Sequence, residues 1–188
     1  MDVTWFGHSF FRIETASGVS ILIDPYMEDN PRNDIEPADL SPDIVAVTHG
    51  DHLDHAGEAH EFDATIICQN VAAMAYKKQG VTEVQDMNVG GTLSVKGVEF
   101  TMTHAHHSIG SHHDEDLLML VDGVPKTREY GGVGTGFVID DGETRFYHAG
   151  DTGLFGDMET VIGDVYQPDV AAVPIGDEVT MGPKYAAT

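Results

Sequence analysis

The stretch Thr48-His49-Gly50-Asp51-His52-Leu53-Asp54-His55-Ala56-Gly57 constrains this chain more than any other. Three histidines and two aspartates fall between positions 49 and 55. They follow the largely apolar run Asp43-Ile44-Val45-Ala46-Val47-Thr48 directly. Its β-branched residues suit a short buried strand, with Ser41-Pro42 before it and Gly50 after it as breakers. Neutral imidazole nitrogens and carboxylate oxygens crowded at a strand end are the ligand set of zinc and other divalent transition metals. One histidine in a polar loop would be ordinary surface. This density of ligands in a single turn points instead to a metal site.

Composition limits the alternatives. A chain of 188 residues with 41% hydrophobic content can bury one real core, and neither a repeat nor a linker divides it, so residues 1–188 read as a single domain. No apolar run reaches 18 residues and the N-terminus lacks a basic, apolar leader; neither a membrane span nor a secretion signal is expected. The single cysteine, Cys68, allows no internal disulfide and sits in the strand-like run 64–69, so a reducing cytoplasm is the default.

The formal charge of −23 comes from 32 acidic against 9 basic side chains. Strand patterns and glycine turns along the whole length argue against a disordered acidic chain. A nucleic-acid face is hard to build from so few cations, so nucleic acid is not an expected partner. The acid excess reads as the surface of a protein from a salt-loving archaeon, where salt near 1 M shortens the screening length to about 3 Å and quiets self-repulsion.

In chain order, residues 1–10, 11–15 and 19–25 read as antiparallel strands, with Ala16-Ser17-Gly18 as one turn. Asp24 ends the third run before Pro25, as a turn-initiating Asp-Pro or as a buried carboxylate needing partners. Residues 26–40 read as a surface loop. After the strand 64–69, residues 70–79 suit a helix with Asn70 as N-cap, Lys77 and Lys78 in the last turn and Gly80 as the stop. Short strands follow at 81–87, 92–96 and 98–103. A second histidine cluster runs Thr103-His104-Ala105-His106-His107-Ser108, with His112 and His113 beyond it as exposed loop residues. Leu117-Leu118-Met119-Leu120-Val121 and Asp122-Gly123 suggest a hairpin, packed on the core, closing over a cleft or forming a dimer contact; the oligomeric state is open. Strands at 136–140 and 144–148 flank Asp141-Gly142, a helix is expected at 157–166, and 168–176 reads as a buried strand.

These features together resemble the metallo-β-lactamase superfamily, whose His-x-His-x-Asp-His loop serves two adjacent metal ions. The pattern fits with one extra residue between the first two histidines, giving His49, His52, Asp54 and His55. A rival register takes His49-Gly50-Asp51-His52 as the last four positions. The first is preferred because it keeps every ligand and leaves Ala56-Gly57 where the family has a small residue and glycine. Gly7-His8-Ser9 resembles a segment of the branch of small uncharacterised metal-dependent hydrolases, in which His8 would lie near the metal cleft. Ala105-His106-His107-Ser108 resembles the context of the next ligand and picks His107. Tyr147-His148-Ala149-Gly150-Asp151-Thr152-Gly153 resembles the segment whose aspartate, here Asp151, bridges both metals.

The resemblance implies an α/β fold, an αββα sandwich of two mixed sheets flanked by helices. It implies ligands His49, His52 and His107 for one metal and Asp54, His55 and Asp151 for the other. Asp54 would also relay a proton. Asp24 would orient a ligand histidine from behind, with His148 and His8 as further supports. Zinc is favoured, manganese or iron being the alternatives. The implied reaction is attack by metal-bound hydroxide on a small ester, lactone or phosphodiester substrate. The family pattern continues with a last strand, a helix and a late histidine. No histidine follows Asp151 here, so the resemblance implies a domain incomplete at its C-terminal end. The alternative class is a non-catalytic metal-binding or scaffold protein with a degenerate site.

Overall fold

Alternation within the apolar strands decides the layering. In β3 (Ser20–Ile23), β4 (Ile44–Val47) and β5 (Thr65–Gln69) both faces carry buried apolar side chains, as in a sheet covered on both sides. Ile21, Ile23, Ile44, Ala46 and Ile67 join one core; Leu22, Val45, Val47, Ile66 and Cys68 join another. The structure is a computed structural model describing residues 1–27, 30, 32, 36–49, 59, 61–108, 119–121, 124–126 and 132–188.

With β1 (Asp2–Gly7), β2 (Phe10–Glu14) and β6 (Val84–Met87), these strands form a six-stranded sheet in chain order. Pairing is antiparallel from β1 to β3 and parallel from β3 to β6. The second sheet uses β7 (Thr92–Val95), β8 (Val98–His104), β11 (Thr135–Asp140), β12 (Arg145–His148) and β13 (Val170–Ala172), in the order β13-β12-β11-β8-β7. Only its β12–β13 pair is parallel. Phe100, Met102, Phe137, Ile139 and Phe146 of this sheet meet the isoleucines of the first and make the central core. On the outer face of the first sheet, α1 (Asn70–Lys78) contributes Ala72, Ala73 and Tyr76. On the outer face of the second, Phe155 and Ile162 pack on Val138, Tyr147 and Ala149. The result is the expected α/β sandwich of two mixed sheets.

Several local expectations change. The cap of α1 is Gln69, whose side-chain oxygen accepts the Val71 N–H, and Asn70 is the first helical residue. Lys77 and Lys78 do lie in the last turn, and Gly80 leaves it at φ +95°. The helix expected at 157–166 forms as a π-helix, Met158–Tyr166, followed by the Gln167 N–H reaching back to Ile162 O. The strand expected to be buried at 168–176 is shorter and open: β13 covers three residues, and Val170 and Ile175 are 48% and 62% exposed. Its position explains this, because an edge strand has one neighbour, here β12. The hairpin forms between β9 (Met119–Val121) and β10 (Val124–Lys126), with Val121 opposite Val124. Leu117, Leu118 and Asp122-Gly123 lie outside the described residues. Among the described residues no helix is long and apolar enough to cross a membrane.

Candidate metal centre

The centre of the first sheet fixes one side of the site. β4 runs between β3 and β5 and delivers Thr48 and His49 at its C-terminal end, where both are buried. Asp24 follows β3 on the neighbouring strand, at φ +44°, in the left-handed region that aspartate tolerates better than most residues. Its backbone N–H donates to Ala46 O at 3.0 Å. Its carboxylate, fully buried, accepts the Thr48 N–H at 2.8 Å and the Thr48 hydroxyl at 2.7 Å. The same hydroxyl oxygen lies 2.9 Å from His49 Nδ1. Thr48 thus bridges Asp24 and His49.

Strand ends of the second sheet form the other side. His107 lies just past β8 and Asp151 just past β12. Their neighbours are bonded together: the His106 N–H donates to Thr152 Oγ1 at 2.9 Å, and the Gly153 N–H to His106 O at 3.0 Å. Gly150 (φ +63°) allows the close approach of this arm. A Cβ there would lie 3.2 Å from Thr48 Cβ and collide with the Thr135 carbonyl. The Thr135 hydroxyl in turn donates to the Thr48 carbonyl, tying the arm to β4.

His49, His107 and Asp151 are thereby brought together from both sheets, with one ligand atom of each within 4.8 Å of the others. The rings of His49 and His107 meet edge to face, 5.2 Å apart. Two imidazoles and one carboxylate, spaced at about the span of two metal–ligand bonds, fit a divalent transition ion. Of the other expected ligands, His52, Asp54 and His55 lie outside the described residues, as do His112 and His113.

The remaining described histidines divide by contact. His104 and His106 pack on one another and on Phe155, His106 stacked on its ring at 4.9 Å. His148 is buried and links the sheets. Its Nδ1 accepts the Gly150 N–H at 3.2 Å, and its Nε2 lies 3.2 Å from Ser9 O. It therefore steadies the residue before Asp151 and the turn carrying His8 at once. His8 lines a cleft of about 430 Å³ that also contacts Trp5, Phe11, His148, Asp151 and Ile175. Trp5 is half exposed there, its indole N–H donating to His8 O, with the Arg32 guanidinium 4.6 Å over its ring. Thr48, Thr135 and Thr152 were not singled out by the sequence; the first was visible only as the strand residue before His49.

Candidate metal ligands thus stand at strand ends between two mixed sheets. Residues 2–188 match the family model described as a beta-lactamase superfamily domain. The chain belongs to this family. A relative from Methanobrevibacter smithii, named a UPF0173 metal-dependent hydrolase, is 40% identical over 191 residues, covering 100% of this chain and 75% of the relative. One of the same name from Haloarcula marismortui is 37% identical over 201 residues, covering 100% of this chain and 78% of the relative. Among solved structures, Igni18, a metallo hydrolase from the hyperthermophilic archaeon Ignicoccus hospitalis, superposes with a TM-score of 0.77 at 33% identity, covering 98% of this chain and 74% of that one. Relatives come from diverse archaea, so family membership carries no particular haloarchaeal source for this member.

Proposed function

We infer that this chain is a metal-dependent hydrolase acting on a small ester, lactone or phosphodiester. The observation that carries the reading is the convergence of His49, His107 and Asp151 from both sheets. The names of the archaeal relatives support it. In this reading two divalent ions are held, zinc first and manganese or iron as alternatives. His49, His52 and His107 would serve one, and Asp54, His55 and Asp151 would serve the other. When bound, such ions supply Lewis acidity toward a carbonyl or phosphoryl oxygen and water acidified to near neutrality. The protein supplies the rest. Asp24 and Thr48 hold the ring of His49, the bonds around Thr152 hold the arms of His107 and Asp151 in register, and Asp54 takes up and passes on a proton. The cleft beside Asp151 receives the substrate, with His8 at its wall.

Elemental analysis of the purified protein in high salt, with Asp151→Ala as control, tests this. Two equivalents of metal that fall sharply in the variant are expected, together with turnover of lactones or phosphodiesters. No bound metal in folded protein would leave the scaffold alternative. The acid excess belongs to the same reading as a salt adaptation: the melting temperature should rise between dilute buffer and molar KCl, and a flat profile would remove that part.

A further inference from the structure

We propose that the Thr48 hydroxyl is a positioning group that sets the tautomer of His49. The proposal rests on the metal-site reading for its purpose, but its geometry stands alone. A hydroxyl carries a single hydrogen. At Thr48 that hydrogen is given to Asp24 Oδ2 at 2.7 Å, while the carboxylate also takes the Thr48 N–H. Toward His49 Nδ1, 2.9 Å away, Oγ1 can then only accept. Nδ1 must carry the ring proton, and the lone pair falls on Nε2. That is the tautomer a metal ligand bonded through Nε2 requires.

The chain of bonds is rigid at each link. Asp24 is fully buried and Thr48 fully buried, so water cannot exchange for either partner. The Thr48 carbonyl is held by the Thr135 hydroxyl, and its Cβ abuts Gly150, the residue before Asp151. Thr48 therefore touches both arms of the site. A residue chosen only for β propensity could be valine or isoleucine here, but neither would tell His49 which nitrogen to protonate.

Nitrogen-15 NMR of the metal-free protein, with the His49 signal assigned by its loss in His49→Gln, reads the tautomer directly. The wild type should show the Nδ1–H form. Thr48→Ser should keep it, with zinc affinity within about threefold of wild type. Thr48→Val should lose it and weaken zinc binding about 10- to 100-fold, the usual scale for groups that orient a metal ligand. Because Thr48→Val deprives Asp24 of a donor, the pair Asp24→Asn/Thr48→Val serves as the folded control; it should regain stability but not the tautomer. An Nε2–H form in the wild type, or wild-type zinc affinity in the double variant, would overturn the proposal. Correct tautomer and zinc binding without any hydrolysis would instead overturn the hydrolase reading and leave this one standing.

Discussion

His49 and His107 face each other across the same centre but are held in opposite ways. His49 is 1% exposed and gripped by its side chain, through Thr48 to a buried carboxylate beside the parallel strands of the first sheet. His107 is half buried, and what is fixed around it is backbone: its neighbour His106 is bonded on both sides to the Thr152–Gly153 segment. One imidazole is oriented by a buried polar chain that the fold must satisfy in order to form. The other is delivered by main-chain registration, and its ring contributes little to folding. Stability and metal binding should therefore separate between the two arms.

The sharpest way to break the comparison is Asp24→Ala. It strands the Thr48 N–H and hydroxyl in a dry interior, and hydrogen bonds to charged groups contribute about 1.5–3 kcal/mol each. A loss of at least about 3 kcal/mol in chemical denaturation is expected. A loss under about 1 kcal/mol would mean that the first arm is not anchored this way. Next in size, His49→Ala should cost about 2 kcal/mol of stability as well as metal, as truncation of buried groups does. His107→Ala should cost metal but less than about 1 kcal/mol. Equal destabilisation by both would erase the distinction.

Smaller effects test the sheet behind His49. Burial pushes the Cys68 thiol from 9.0 up to about 12, so a thiol reagent at pH 8 should react only after unfolding. The sign follows from linkage: the folded state keeps the proton longer, so this contribution is intact below pH 9 and is lost as pH rises toward 12. Smallest is the pair Lys96–Asp43, at 2.6 Å on the surface. The Lys96 hydrogen bond, with the Ser20 N–H, holds the Asp43 carboxyl below its usual range. Its contribution is present above the ordinary carboxylate range and disappears as pH falls through the lowered value. Lys96→Ala should cost under about 1 kcal/mol, and less in molar salt.

Much of this architecture could be read from the chain because its signals were dense. The β-branched run before His49 and the Gly150-Asp151 turn marked strand ends, the family resemblance picked His107 and Asp151 as candidate ligands, and both do lie beside His49. Misplacements came where local pattern is silent about surroundings. Val170 and Ile175 are apolar whether a strand is central or at an edge, so their exposure could not be foreseen. Gln69 capped α1 because a longer side chain can curl back to Val71, which a preference for short polar caps overlooks. Thr48 read as a strand residue because threonine is β-branched; its hydroxyl acquires meaning only when Asp24, distant in sequence, arrives beside it.

Trp5 is the sole tryptophan of the chain, and it stands half exposed on the wall of the cleft that Asp151 borders. In optical terms the protein carries one indole, placed on the wall of that cleft. Every photon of indole emission comes from that wall, with no background from a second site. A molecule that enters the cleft against the indole should displace water from it and change that emission. The fold thus carries its own optical label on the wall of that cleft.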